Sequence, residues 1–183
     1  MSNKRIALAS VVILALVVVI AIALGGRHRE YSERIVQVDV NYDQPVESLL
    51  VAGHYDPADP DITSERFPSV HHGQRSVKIH LLCFRWDDWV SSDEVLATMA
   101  KHGLRPAEVR ELLALGANRS FYENGGPIVV LAPSCPPPWP KSGGRCILTV
   151  ELSDEGHQAW LDDNVSTGWN GDFIRFAAVA KDK

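Results

Sequence analysis

The residues best suited to metal chemistry lie in one polar stretch of the sequence, between residues 54 and 72. This stretch is rich in Pro, Asp, Ser and Gly, which predicts a long surface loop. Carboxylates and imidazoles are ligands for divalent metals, and a folded loop could gather several of them around one ion. Their spacing matches neither an EF-hand loop nor a helix with two metal-binding histidines, and Asp beside Pro is ordinary turn chemistry. One hypothesis is therefore a metal-dependent, hydrolase-like enzyme with ligands drawn from His54, Asp56, Asp59, Asp61, His71 and His72.

Tryptophans form a second group of candidates, because the sequence places them in loops or near strand ends. Carboxylates such as Asp87 and Asp88 accompany them. Exposed aromatic rings beside carboxylates can stack on sugars or hold cationic partners. The alternative is that these large amphipathic rings cover the ends of a small core. The residues that we consider for ligand binding are Trp86, Trp89, Trp139 and Trp169.

Motifs for covalent catalysis are absent from the sequence. Neither a Gly-x-Ser-x-Gly elbow nor a phosphate-binding loop occurs, and Ser120, Ser134 and Cys135 lie in no activating context. The sequence therefore indicates no catalytic residue and no cofactor.

The three cysteines leave two interpretations open. Cys135 and Cys146 flank a loop rich in Pro and Gly and could close it as a disulfide, worth about 3 kcal/mol in an oxidising compartment. Cys83 lies in an apolar strand and is predicted to be a buried thiol. The alternative is three reduced thiols.

Residues 91–116 carry the strongest secondary-structure signals and predict two short helices joined at Gly103. Ser91 and Glu94 form a capping box, and Pro106 suits the first position of the second helix. We expect both helices to cover one face of a sheet. A helix-turn-helix that binds DNA is a further alternative, although Glu108 and Glu111 oppose the basic residues beside them.

Five segments predict strands, because their apolar residues alternate or form short continuous runs. A further helix is predicted between Pro45 and Gly53. The fold class indicated is α+β, with a largely antiparallel sheet of about five strands and a covering helix pair. The predicted strands are residues 34–42, 76–84, 127–132, 145–152 and 172–180.

The N-terminal region contains a long apolar run at residues 6–24. At about 1.5 Å per residue this run nearly spans a bilayer, which predicts a single-pass transmembrane helix of the signal-anchor type. A cleaved signal peptide is the alternative. The predicted organisation is a basic head at 1–5, the membrane span at 6–24, a linker at 25–33 and one domain at 34–181 outside the cytoplasm.

Charge argues against nucleic acid as a partner. Lys4 and Arg5 are the only basic residues before residue 25, and no acidic residue precedes it, so the net charge of −5 becomes about −7 for the remainder. Such an acidic domain does not attract a phosphate backbone.

Several blocks of the sequence resemble a family of uncharacterised small proteins from candidate-phylum bacteria. The resemblance covers residues 36–181 and implies a bacterial source and a single domain, with no assigned activity, cofactor or catalytic residue. Members of that family commonly lack an anchor, and this chain differs in that respect. The blocks are VNYDQPVESLLVAGHYD, DITSERFP, SSDEVLATMAKHGLRPAEVRELLALGA, PIVVLAPS and RFAAVAK.

Together these observations predict a membrane-anchored, non-catalytic binding or scaffold module at the bacterial cell envelope. The expected partners are the membrane, through residues 6–24, and a protein or small-molecule ligand.

Overall fold

A computed structural model describes residues 31–84, 89–118, 126–132, 146–153, 156–162, 168–169 and 174–181. These residues form eight strands and three short helices. Strands β1 to β8 are Tyr31–Asn41, Tyr55–Ala58, Gln74–Phe84, Leu104–Pro106, Ile128–Ala132, Cys146–Ser153, Gly156–Asp162 and Arg175–Ala180. Helices α1 to α3 are Val46–Ala52, Ser92–Lys101 and Val109–Ala117.

All eight strands belong to one mixed sheet with the order β1-β3-β8-β5-β6-β7-β2. The short strand β4 joins β8 at Ala178–Ala180, beside the Arg175–Phe176 part of β8 that pairs with β5. The β5–β8 and β2–β7 pairs are parallel, and the others are antiparallel. The predicted α+β fold with about five strands was therefore wrong, because the described part of the chain is mostly a mixed sheet of eight.

The missed strands are those without a clear alternating pattern. β2 and β4 have only four and three residues. In β7 only Ala159 and Leu161 are buried, so the apolar signal is weak. Such strands form because neighbouring strands offer hydrogen-bonding groups. The local sequence pattern does not show which segments will be neighbours in the sheet.

Strands β1 and β3 form where alternation predicted them. Val36, Val38 and Val40 are buried on one face of β1, while the residues between them are exposed. The β1–β3 register runs unbroken from Tyr31 opposite Phe84 to Asn41 opposite Gln74. β1 begins at Tyr31, so the end of the predicted 25–33 linker belongs to the sheet.

The helices cover opposite faces of the sheet. Val95 and Met99 of α2 pack with Leu82, Val129 and Phe176. Leu112 and Leu113 of α3 instead belong to the other core cluster. That cluster contains Leu81, Val130 and Ala177, which are adjacent in sequence to the three strand residues that pack with α2. Since successive strand residues point to opposite faces, the sheet lies between α2 and α3.

This arrangement corrects the prediction of a helix pair on one face. Pro106 is the last residue of β4 rather than the first residue of a helix, and α3 begins at Val109. The segment between the helices extends because it pairs with β8. Every residue of α3 from Val109 to Gly116 is buried, so α3 offers no exposed face to a DNA groove.

The predicted single-pass anchor and extracytoplasmic location are also corrected. Among the described residues, no helix is long and apolar enough to cross a membrane. The longest, α2, has ten residues. The head at 1–5 and the predicted span at 6–24 lie outside the described residues.

Candidate functional site

The predicted metal ligands are not gathered around one point. Among the residues that the structure describes, no three His, Cys, Asp or Glu side chains are grouped so that they could hold a metal ion. His71 faces Glu108 at 3.3 Å, and His72 lies 3.2 Å from Asp43. Asp61 pairs with Arg66 at 3.0 Å. The candidate ligands therefore contact different parts of the domain.

The loop that holds these residues instead supports α1. The hydroxyl oxygen of Ser64 accepts a hydrogen bond from the Val46 backbone N–H at 2.7 Å, which caps a helix that has no cap of its own. The same hydroxyl donates to Glu47 at 2.7 Å. This hydrogen bond is the main reason that the pKa of Glu47 lies below its ordinary value. The polar composition of the loop thus serves helix capping.

The tryptophans divide into exposed, packed and undescribed residues. Trp89 is 58% exposed. The Trp169 ring packs edge-on against Phe176, and its indole N–H donates to Ser92 at 3.0 Å. Trp169 therefore covers the core, as the alternative interpretation held. Trp86 and Trp139 lie outside the described residues.

The cysteines differ in state. Cys146 forms a disulfide, whereas Cys83 keeps its thiol and is half-buried on β3. Cys135 lies outside the described residues, so the Cys135–Cys146 pairing stays a prediction.

The most concentrated polar cluster surrounds Glu111, which is completely buried near the start of α3. Arg105 on β4 donates both terminal nitrogens to the Glu111 carboxylate, at 2.7 and 2.9 Å. The Tyr42 hydroxyl donates to the same carboxylate at 2.6 Å. The Glu108 backbone N–H donates a fourth bond at 2.6 Å, which completes a capping box. One carboxylate thus ties together β4, α3 and the end of β1.

Burial and hydrogen bonding fix the charges in this cluster. Burial raises the pKa of Tyr42, and the hydrogen bond to Glu111 raises it further, so the phenol keeps its proton. The hydrogen bonds with Glu111 raise the pKa of Arg105. Arg105 and Glu111 therefore neutralise each other, and neither carries an uncompensated charge.

Beside this cluster the sheet has a gap, which we call the notch. β8 pairs with β3 only from Ile79 to Leu82, so no described strand pairs with the preceding residues of β3 on that side. The resulting cavity has a volume of about 300 Å³. Its walls are formed by Tyr42, His71, Arg75, Ser76, Val77, Lys78, Arg105, Glu111, Val179, Ala180 and Lys181.

Three cations border the notch without an ion pair among the described residues: Arg75, Lys78 and Lys181. The Arg75 guanidinium carbon lies 5.9 Å from the centre of the Tyr42 ring, which holds that side chain against the wall by a cation–π contact. Arg105 is already paired with Glu111, and the Glu108 carboxylate lies 3.3 Å from His71 of the wall, so the positive charges around the notch exceed the negative charges by two. This arrangement can accept an anion.

The backbone contributes polar groups to the same wall. The Tyr42 N–H donates to the Gly73 carbonyl. By the alternation of an antiparallel pair, the backbone N–H and C=O groups of the odd residues of β3 therefore point toward β1. The N–H and C=O of Ser76 consequently point toward the notch. A main-chain donor and three cationic residues thus border the cavity, Arg75 from the face of the sheet that α3 covers and Lys78 from the face that α2 covers.

Sequence reasoning did not find this site. Arg75 and Lys78 resemble the exposed residues of any half-buried strand, and Lys181 is about a hundred residues away in the chain. The spacing of Glu108 and Glu111 did indicate a helix start, because residues three positions apart can occupy the N-cap and N3 positions of a capping box. The position of that box beside β8 depends on the topology of the sheet.

Comparisons with known proteins add no relative. No family model, no curated protein and no solved structure matches this chain.

Proposed function

We propose that this chain is a non-catalytic binding domain that takes a small phosphate- or carboxylate-bearing molecule in the notch. The observation that carries the proposal is that three cations without an ion pair among the described residues, Arg75, Lys78 and Lys181, border a cavity of about 300 Å³. A phosphate or carboxylate group would supply the missing countercharge through charge-assisted hydrogen bonds.

The overall acidity of the chain does not oppose this function. The net charge is −5 at pH 7. At physiological ionic strength the Debye length is about 8 Å, so exposed charges farther away than this are largely screened. Distant acidic residues therefore have little effect at the notch, where the nearby charges are the bordering cations, the Arg105–Glu111 pair and Glu108.

The neighbouring ion pair supports binding rather than proton transfer. Tyr42 keeps its proton because its pKa is raised, and it already donates that proton to Glu111. Arg105 is held by the same carboxylate. These three residues form a rigid, neutral wall, and the cations at the rim remain available to a ligand.

The test is calorimetric titration of the full chain with inorganic phosphate, pyrophosphate and citrate at low and physiological salt. A charge-assisted hydrogen bond contributes about 1.5–3 kcal/mol, and about 1.4 kcal/mol changes a dissociation constant tenfold. We therefore expect Arg75→Gln and Lys78→Gln each to weaken binding about tenfold or more. Affinity should also fall with added salt. Comparison of the three anions separates phosphate from carboxylate ligands.

A matched control is Lys101→Gln, which removes one positive charge from the last turn of α2, at a residue that does not line the notch. This variant should bind like the wild type. Equal affinity of wild type and an Arg75→Gln/Lys78→Gln double variant would contradict the proposal. Failure of all three anions to bind at millimolar concentration would contradict it as well.

A further inference from the structure

The outer edge of β1 is a long, regular sheet edge. β1 ends the strand order, and its eleven residues pair only with β3 among the described strands. The register with β3 contains no bulge. A cavity of about 570 Å³ lies between Gln37–Asp39 and the end of α3 at Ala117 and Asn118. An edge of this length presents a row of backbone groups that another strand can pair with.

Two hydrogen bonds show which residues face outward. The Tyr42 N–H donates to Gly73 on the β3 side. The Gln37 carbonyl instead accepts from the Asn118 side-chain amide at 3.2 Å. By the alternation of an antiparallel pair, the backbone groups of the odd residues from Glu33 to Asp39 point away from the sheet.

Among the described residues, this edge has little protection against strand pairing beyond the Asn118 side chain on the Gln37 carbonyl and the charges of β1. Proteins commonly block an edge with Pro, Lys, a bulge or a very short strand. β1 contains neither Pro nor Lys, and an apolar residue, Ile35, is 52% exposed near the middle of the edge.

We propose that this edge pairs with β1 of a second copy of the chain, antiparallel, so that two eight-stranded sheets become continuous. Several registers are disfavoured because they would place like charges opposite each other. A pair centred on Glu33 places the two Glu33 side chains opposite each other, and a pair centred on Arg34 does the same with the two Arg34 side chains. A pair centred on Val36 places Glu33 of one copy opposite Asp39 of the other. Like charges directly opposite each other are destabilising.

Centring the pair on Ile35 or on Gln37 removes these conflicts, and the Ile35 register also pairs the exposed apolar side chains and does not centre on a carbonyl that Asn118 occupies. Glu33 then lies opposite Gln37, Arg34 opposite Val36, and the two Ile35 side chains meet across the new pair. Because the Gln37 carbonyl of each copy already accepts from Asn118, the other outward backbone groups between Tyr31 and Asp39 form about eight new hydrogen bonds. The exposed isoleucine and the edge are thus covered by one contact.

The test is the oligomeric state of the full chain across a concentration series, measured by sedimentation velocity. We expect a dimer that dissociates on dilution in the micromolar range, because a single strand pair buries less area than a standard interface. Ile35→Lys should weaken the dimer at least tenfold. Val70→Lys is the matched control, since Val70 is also apolar and 81% exposed but belongs to the loop before β3 rather than to β1, and this variant should dimerise like the wild type.

A second measurement does not depend on disrupting the edge. Ile35→Cys should cross-link to its own copy under mild oxidation much faster than Val70→Cys. A monomer at all concentrations, a dimer unaffected by Ile35→Lys, or equal cross-linking of the two cysteine variants would overturn the proposal. Loss of anion binding without loss of dimerisation would contradict only the function assigned to the notch.

Discussion

Removal of the Glu111 carboxylate should destabilise the domain more than most single substitutions. Glu111 accepts four hydrogen bonds from three residues and is completely buried. Glu111→Ala would leave the Tyr42 hydroxyl, the Glu108 N–H and the Arg105 guanidinium without their acceptor. Breaking a buried ion pair by removing one partner costs about 3–5 kcal/mol.

The Arg105 side chain places the expected loss at the lower end of that range. It is 22% exposed, so part of its charge can be hydrated once Glu111 is gone. We therefore expect Glu111→Ala to lower the free energy of unfolding by about 3 kcal/mol. For a domain of this size, that loss lowers the melting temperature by about 6–12 °C.

The assay is urea unfolding followed by tryptophan fluorescence, with Glu65→Ala as the control. Glu65 is exposed, so its substitution should change stability by less than about 0.5 kcal/mol. A double-mutant cycle with Arg105→Met and Glu111→Leu should show a coupling energy above about 1 kcal/mol, because the double variant leaves no unpaired charge. Additive effects, or a Glu111→Ala variant as stable as the Glu65→Ala control, would refute the reasoning.

Two further predictions concern buried tyrosines. Burial raises the pKa of Tyr42 and Tyr55 above the ordinary value of 10.0, so each phenol ionises more readily in the unfolded state and stability should fall as pH rises above 10. Urea unfolding between pH 9 and 11 should show this decline, and Tyr42→Phe should make it shallower; an unchanged slope would contradict the assignment. Gly116→Ala should destabilise the domain although alanine favours helices, because the new methyl group would lie 2.6 Å from atoms of the Tyr55 ring. Thermal unfolding checks this, and a variant as stable as wild type would show that the ring can move.

Local signals predicted the parts of the fold that depend on neighbouring residues in the chain. The Ser91–Glu94 capping box was confirmed, since both of its reciprocal hydrogen bonds form. Gly103, with φ of +70°, follows α2 in the left-handed conformation that was expected there. The alternation of Val36, Val38 and Val40 likewise indicated a half-buried strand.

Signals failed where a distant part of the chain decides the conformation. Pro106 fits the start of a helix equally well, but pairing with Ala178 makes it the end of β4. Glu111 was considered only as a charge that opposes the basic residues beside it, whereas the structure buries it completely and pairs it with Arg105. The notch is an extreme case, because it exists only where β8 ends between β3 and β4.

The position of β8 also bears on how the chain folds as it is synthesised. Among the described strands, β8 comes after all the others in the chain. It nevertheless lies in the middle of the sheet and joins the β1–β3 part to the β5–β6–β7 part. Until residues 175–180 have left the ribosome, β3 and β5 each keep an open inner edge, and both core clusters lack their central strand. Unpaired edges of this kind favour aggregation of incomplete chains. The nascent chain therefore depends on β8 for closure of the sheet, and chaperones that bind extended apolar segments can act on the open edges before β8 emerges.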